Sequence, residues 1–206
     1  MGQIVDFFFE AYKNTPTSFI ILEAIAFVFG IASVVYAKRE NILVYPTGLI
    51  ATTITVYLLY KAQYFGDMTM NFYYSVMSIY GWYNWARKDK NEPIVHISRT
   101  NNKEKIIGVL LFLMTMVVTF LVYKAFDYEI QVVNYIDIFT SGIFFTAMWY
   151  MATKKLENWT LWIIADVITV PLYTYRGLGM LALQYLIFTI LAVQGYIEWR
   201  KAIEDQ

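Results

Sequence analysis

The chain has 206 residues, of which 59% are hydrophobic and only 16% are charged, with 16 basic and 16 acidic side chains. Soluble domains usually carry about 25% charged residues, so this composition argues against a soluble domain and predicts an integral membrane protein. The balanced charge argues against a nucleic-acid partner. The absence of cysteine excludes disulfide scaffolds, iron–sulfur clusters and thiolate zinc sites, and we expect no cofactor.

The first 17 residues mix acidic and apolar side chains. They have neither the basic region nor the small-residue cleavage site of a secretory signal peptide. Residues 1–17 are therefore predicted to form an amphipathic segment that lies on the membrane surface.

Seven apolar segments follow, and a helix of about 20 residues is long enough to cross a bilayer. They cover residues 18–37, 42–60, 68–86, 105–125, 131–153, 158–176 and 179–199. The longest break is the polar stretch 87–104, which contains the only histidine, His96, as a solvated loop residue. The fold prediction is an all-α integral membrane protein with seven transmembrane helices.

The basic residues are unevenly distributed between the two sides of such a bundle. If the loops alternate sides, only Lys13, Lys61, Lys124 and Arg176 lie on one side, and the other twelve of the 16 basic residues lie on the opposite side. Lys and Arg concentrate in cytoplasmic loops. We therefore expect a multi-pass protein of the bacterial inner membrane with its N-terminus outside, its C-terminus in the cytoplasm and a cytoplasmic loop at 87–104.

The chain also contains an internal repeat. Paired features occur in the same order in both halves: Glu40-Asn41 with Glu157-Asn158, Tyr60-Lys61 with Tyr175-Arg176, Gly81 with Gly195, and Trp85 with Trp199. This order predicts that the three-helix unit 18–86 is repeated as 131–201. A single linker helix at 105–125 between the units makes the repeats parallel, an arrangement known among transporters whose substrate site lies between the repeats. The linker is almost entirely apolar, as expected of a lipid-facing helix or an oligomer contact.

One helix carries the strongest candidate site. Trp159, Trp162 and Asp166 have i, i+3, i+7 spacing and share one helix face, and Pro171 beyond them favours a kink. Asp166 falls about 10 Å into the helix, where an acidic group costs about 2.5–3.5 kcal/mol. This pattern predicts two indoles that stack on a planar ring and a carboxylate that meets a cation. The alternatives are that the Trp residues are interfacial anchors and that Asp166 pairs with a neighbouring helix.

Two amides at membrane depth are further candidates. Asn71 lies ten residues before Gly81, and Gln184 lies eleven before Gly195. Each side chain offers a donor and an acceptor, which suits the recognition of sugar hydroxyls or of a carboxamide. The alternative is hydrogen bonding between helices, which contributes about 0.6 kcal/mol per contact.

Several motifs resemble those of the PnuC family of bacterial vitamin-precursor transporters. They are Ile79-Tyr80-Gly81-Trp82-Tyr83-Asn84-Trp85, the pair Trp159 and Trp162, Pro171-Leu172-Tyr173 with Tyr175-Arg176-Gly177-Leu178, and Gly195-Tyr196 with Trp199. The resemblance covers residues 18–201. It implies a three–one–three arrangement similar to full-length SWEET sugar transporters, commonly a homotrimer, with Trp159 and Trp162 at the substrate ring.

The resemblance also implies a function. Members of the family take up nicotinamide riboside by facilitated diffusion, and a cytoplasmic kinase traps the substrate by phosphorylation. Related branches resemble thiamine or riboflavin transporters, and Asn71 stands where many relatives are expected to have glutamine, so the vitamin stays open. A membrane enzyme would need a catalytic constellation, which the lone loop histidine does not provide, and a scaffold would leave Asp166 without a role. We therefore expect that the chain is not an enzyme.

Overall fold

The described part of the chain folds into seven helices. The computed structural model describes residues 15–61, 65–90, 92–125, 130–175 and 179–205. In this part of the chain the helices are α1 (Thr17–Lys38), α2 (Val44–Lys61), α3 (Phe65–Ala86), α4 (Asn102–Ala125), α5 (Val132–Ala152), α6 (Glu157–Tyr175) and α7 (Gly179–Glu204). The all-α fold with seven helices is confirmed. Of the predicted surface segment 1–17, residues 1–14 lie outside the described residues.

The helices differ in how clearly they qualify as membrane spans. By length and apolar composition alone, α1, α4, α5 and α7 are able to cross a bilayer. The helices α2, α3 and α6 occupy the positions predicted for the remaining spans, but their threonine, tyrosine and asparagine residues lower the apolar character. Several of these polar side chains line an internal cavity rather than the lipid-facing surface.

The loop between α3 and α4 is docked onto the protein. It begins with an antiparallel ribbon of two-residue strands, β1 (Lys88–Asp89) and β2 (Glu92–Pro93). Farther on, the Ser98 N–H donates to the Lys154 carbonyl at 3.1 Å, and the Ser98 carbonyl accepts from the Leu156 N–H at 2.9 Å. Ile97 is buried between these contacts, whereas His96 is exposed as expected. The loop is thereby attached to the connection between α5 and α6.

The helices pack as two groups of three. Helices α1 and α3 both pack against α2, and α5 and α7 both pack against α6. The groups meet where α1 contacts α7 and where α3 contacts α5, and α4 packs mainly against α5. Cross-helix contacts bring together the ends of α1, α3, α5 and α7 and the starts of α2, α4 and α6. We call this end of the bundle the basic end, because most of the basic residues lie there.

The backbone conformation at Glu40 is repeated 114 residues later, at Lys154. The φ angles of the two residues are 54° and 53°. After each of them, an N–H group bonds back to the end of the preceding helix: Asn41 to the Tyr36 carbonyl and Lys155 to the Tyr150 carbonyl, both at 2.9 Å. These bonds are typical of helix ends that close with a left-handed residue, usually glycine. A non-glycine residue in this conformation costs about 1–2 kcal/mol.

Side-chain packing recurs at the same separation. The Tyr45 and Trp85 rings form an edge-on pair with centroids 5.1 Å apart, and Trp159 and Trp199 form an edge-on pair at 5.5 Å. Each pair closes over a glycine: a Cβ atom on Gly81 would lie 2.3 Å from Tyr45, and one on Gly195 would lie 2.7 Å from Trp159. Glycine is needed at both positions because any side chain would overlap a buried ring.

Two hydrogen bonds cross between the three-helix groups in a reciprocal manner. The Trp85 indole N–H donates to the Met151 carbonyl at 3.3 Å, and the Trp199 indole N–H donates to the Ala37 carbonyl at 3.1 Å. Both indoles are buried. The sequence alignment of the repeats agrees with these contacts at Gly81 with Gly195 and at Trp85 with Trp199. Near the start of α2 the two pairings differ by three residues: the sequence pairs Glu40 with Glu157, whereas the structure pairs Glu40 with Lys154.

Candidate functional site

A cavity of 1490 Å³ lies between the two three-helix groups. It extends from Thr15 and Phe19 near the start of α1 to Ala37 at its end, and it reaches Val44 and Met151 at the basic end. Ligand pockets usually measure about 300–1,000 Å³, so this cavity is large enough for a small molecule and an access path. All five candidate site residues named from the sequence line it: Asn71, Trp159, Trp162, Asp166 and Gln184.

Trp159 forms part of the closed floor of the cavity at the basic end. Its side chain is only 2% exposed, and it packs against Gly195 and edge-on against Trp199. The alternative that Trp159 is an interfacial anchor does not hold, because packing against α7 buries the indole. Its ring both supports the helix packing and contributes to the cavity surface.

Trp162 stands in the wall of the cavity, one helical turn farther along α6. Its ring centroid lies 5.4 Å from that of Phe144 on α5 and 6.2 Å from that of Tyr74 on α3, with interplanar angles of 44° and 51°. The indole is half-buried. Side chains from two neighbouring helices, α3 and α5, therefore pack against a tryptophan that keeps part of its surface free.

The aromatic wall continues onto α7. The Tyr185 ring lies 5.9 Å from Phe144, 5.3 Å from Tyr173 and 5.9 Å from Phe188. Sequence reasoning named none of these rings as a site residue, although Tyr173 belongs to one of the family motifs, and it also missed Tyr74. In a chain that is 19% aromatic, neither composition nor spacing distinguishes a ring that faces the cavity from one that faces lipid.

Asp166 is the most unusual group in the cavity wall. It is 1% exposed, and neither carboxylate oxygen has a hydrogen-bond partner among the described residues. Among the described residues, Asp166 therefore does not pair with a side chain of a neighbouring helix, which was the alternative raised from the sequence. Buried carboxylates are normally paired or hydrogen-bonded, so an unpartnered one at a cavity is poised to receive a cationic or hydrogen-bond-donating ligand.

Asn71 and Gln184 line the cavity from α3 and α7. The Ser75 hydroxyl lies 3.1 Å from the backbone carbonyl oxygen of Asn71 and 2.8 Å from the Thr52 hydroxyl, and both oxygens can accept its proton. The Gln184 carboxamide nitrogen lies 3.4 Å from the position that a Cβ atom on Gly30 would take. The separation of 114 residues pairs Asn71 with Tyr185 rather than with Gln184.

The two halves of the cavity wall differ in chemistry. At the separation of 114 residues, Phe144 and Trp162 correspond to Gly30 and Gly48, and Asp166 corresponds to Thr52. Gly48 packs closely against the hydroxyl of Ser33, which a Cβ atom would approach to 2.9 Å. The second group of helices thus supplies the aromatic and acidic side of the cavity, and the first group supplies small and hydroxyl-bearing residues.

Comparison with known proteins identifies the family. Residues 20–201 match the family model described as "Nicotinamide mononucleotide transporter". The chain belongs to this family. The match extends over all seven helices and over every residue of the candidate site, so the membership applies to the whole helical bundle.

Relatives of this transporter family support the assignment. "Nicotinamide riboside transporter PnuC" of Escherichia coli K12 is 25% identical over 208 residues, covering 90% of this chain and 87% of the relative. The protein of the same name from Neisseria mucosa is 26% identical over 195 residues, covering 89% and 73%. These relatives are PnuC transporters, as the sequence motifs predicted, and the chain is a transporter-family member rather than an enzyme.

A solved structure shares the fold. The structure described as "Crystal structure of the Vitamin B3 transporter PnuC" superimposes with a TM-score of 0.72, covering 96% of this chain and 86% of that chain at 21% identity. At this level of identity the comparison establishes the fold, and the arrangement of the seven helices is therefore that of a known vitamin transporter.

Proposed function

We propose that this protein imports nicotinamide riboside across the bacterial inner membrane. The observation that carries the proposal is the buried carboxylate of Asp166, which has no partner among the described residues and lies one helical turn from the aromatic group around Trp162. Nicotinamide riboside combines a positively charged planar ring with a ribose. The names of the relatives support the same substrate.

The proposed binding mode follows from the chemistry of the wall. The pyridinium ring stacks on Trp162 between Phe144 and Tyr74, where a desolvated cation–π contact contributes about 2 kcal/mol. The carboxylate of Asp166 balances the positive charge. Asn71 and Gln184 bond the carboxamide or the ribose hydroxyls, for which amides offer both a donor and an acceptor.

Thiamine is the second candidate substrate. Its thiazolium ring is also a planar cation, so Asp166 and Trp162 suit it by the same physical argument. Riboflavin is the third candidate, and its neutral ring system gives Asp166 no charge to balance. Nicotinamide riboside is preferred because the named relatives share it.

The substrate is tested by measuring thermal stabilisation of the purified protein in detergent. Nicotinamide riboside, thiamine and riboflavin are compared, with neutral nicotinamide as the control for the ring without charge and sugar. A ligand at 100 times its Kd stabilises the folded state by about 2.7 kcal/mol. We expect nicotinamide riboside to raise the unfolding temperature most. A larger shift with thiamine would reassign the substrate, and no shift with any of them would overturn the transport proposal.

The proposed architecture is a three–one–three, SWEET-like arrangement of two parallel repeats, α1–α3 and α5–α7, with α4 as the linker. The paired geometry at Glu40 and Lys154 and the reciprocal Trp85 and Trp199 hydrogen bonds support it. The mechanism is alternating access by rocking of one repeat against the other, with Pro171 inside α6 as a hinge. Transport is facilitated diffusion, and a cytoplasmic kinase traps the substrate by phosphorylation.

The proposed setting places the basic end in the cytoplasm, so that the N-terminus is outside and the C-terminus inside. The proposed assembly is a homotrimer. The outward face of α4 supports a lipid or subunit contact, since Ile106, Val109, Leu110, Leu113 and Val117 are each more than half exposed. Cross-linking in membranes tests the assembly, and trimer-sized products are expected.

A further inference from the structure

We infer that Glu40 and Lys154 form the gate at the basic end of the cavity, and that their separation accompanies release of the substrate there. The inference rests on the alternating-access part of the proposed function. It names a regulatory contact that lies outside the substrate-binding wall, at the connections α1–α2 and α5–α6.

The position of the pair is the first reason. Glu40 and Lys154 are separated by 114 residues, and they contact one another at 2.5 Å. The reciprocal bonds of Trp85 and Trp199 relate the two helix groups by the same separation. A residue that contacts its own equivalent lies on the axis relating two halves, as in an isologous interface. Any rocking of the halves about the cavity therefore changes the distance between these two side chains.

The surroundings of the pair are the second reason. The Lys154 side chain is 5% exposed, and its ammonium group lies 4.7 Å from the centroid of the Trp85 ring. Beneath it, Tyr45, Trp159 and Trp199 form the buried floor of the cavity. The pair thus covers the layer of side chains that separates the cavity from the basic end. A buried charge is costly without its partner, so the closed state depends on Glu40.

The backbone is the third reason. Both residues occupy left-handed helix-end positions where glycine is the usual choice. A strained conformation that persists at two equivalent positions points to a use for the side chains. The equivalent positions carry opposite charges, which attract each other across the axis, whereas two identical charged residues would repel.

The experiment exploits the absence of cysteine. A single thiol is introduced by Ser141→Cys, at the cavity wall on α5, and its reaction with a membrane-impermeant maleimide is followed from the basic end in oriented vesicles. Glu40→Lys places two ammonium groups next to each other on the axis. We expect their repulsion to increase the population of the state that is open at the basic end, and the labelling rate to rise about tenfold or more. The charge swap Glu40→Lys with Lys154→Glu is expected to return the rate to the parent value.

A matched control uses an ion pair at that end that does not join the two helix groups. Arg200 and Glu204 pair within α7 at 2.8 Å, and both side chains are more than half exposed, so Glu204→Lys is expected to leave the labelling rate unchanged. An unchanged rate with Glu40→Lys, or a raised rate that the charge swap fails to restore, would overturn the inference. Because labelling needs no substrate, this result is independent of which vitamin is carried.

A second measurement covers the case in which Glu40→Lys fails to fold. Glu40→Cys with Lys154→Cys allows the two positions to be joined by a bifunctional maleimide with an internal disulfide, which replaces the length of the two side chains that meet at their ends, and to be released by a reductant. Exchange of nicotinamide riboside across proteoliposomes is expected to stop on cross-linking and to recover on reduction, while substrate binding persists. If the cross-linked protein exchanges substrate at the full rate, the two residues do not separate during transport and the gate lies elsewhere.

Discussion

At the scale of single residues, the carboxylate of Asp166 is the group whose surroundings are hardest to explain by packing. Burial without a partner among the described residues costs folding free energy, and a hydrogen-bond-donating or cationic ligand on the cavity side would offset part of that cost. Trp162 and Asp166 are four residues apart, and the structure places both at the cavity, as a shared helix face requires.

Asp166→Asn is predicted to remove the negative charge from the site while keeping the size of the side chain. The amide has nearly the same size, so the protein should fold with equal or higher thermal stability because a buried unpaired carboxylate is removed. Affinity for nicotinamide riboside should fall about tenfold or more, the equivalent of about 1.4 kcal/mol. Isothermal titration calorimetry with the cationic substrate measures the change. Unchanged affinity would show that the carboxylate does not meet the positive ring.

Trp162→Ala is predicted to abolish binding, because it removes the ring against which Tyr74 and Phe144 pack. Loss of a buried aromatic side chain also costs about 3–5 kcal/mol, and this half-buried position should cost less. Trp82→Ala provides the control, since Trp82 lies on the exposed face of α3. Thermal shift with and without nicotinamide riboside reports both effects. Retained stabilisation by the ligand in Trp162→Ala would place the site elsewhere in the cavity.

At the scale of the helices, close contacts at two glycines define how each three-helix group packs. Trp159 occupies the space next to Gly195 as Tyr45 does next to Gly81. These contacts position α6 against α7 and α2 against α3, and they thereby set where the Trp162 wall stands relative to the floor of the cavity.

Gly195→Ala is predicted to destabilise the fold. The added Cβ atom would lie 2.7 Å from the Trp159 ring, and overpacking of this kind costs about 1–3 kcal/mol, only partly offset by the better helix propensity of alanine. Gly30→Ala is the matched control, because its Cβ atom would meet its first neighbour at 3.4 Å. Thermal unfolding compares them, and equal unfolding temperatures would contradict the packing argument.

Sequence reasoning was most successful where the membrane itself imposes the pattern. Seven apolar segments predict seven helices because the bilayer requires internally bonded backbone. It was less successful at the basic end, where Trp85 and Trp199 look like interfacial residues but are buried by tertiary contacts. The left-handed conformations of Glu40 and Lys154 could not be predicted from the sequence, because such positions usually carry glycine.

At the scale of the whole molecule, two groups of three helices enclose one cavity with unlike walls. The backbone geometry of Glu40 recurs at Lys154, 114 residues later, whereas at the same separation Phe144, Trp162 and Asp166 correspond to the small or hydroxyl-bearing residues Gly30, Gly48 and Thr52. The similarity of the halves suits a rocking motion. Their difference suits a substrate that is aromatic and charged at one end and hydroxylated at the other.

The central claim is that this cavity carries nicotinamide riboside without an ion gradient. Uptake of labelled nicotinamide riboside is measured in proteoliposomes that contain the purified protein and carry an imposed proton gradient, with and without a protonophore. We predict uptake that saturates, persists with the protonophore and is lost in Trp162→Ala. Absence of uptake, or uptake that requires a proton gradient, would contradict the account.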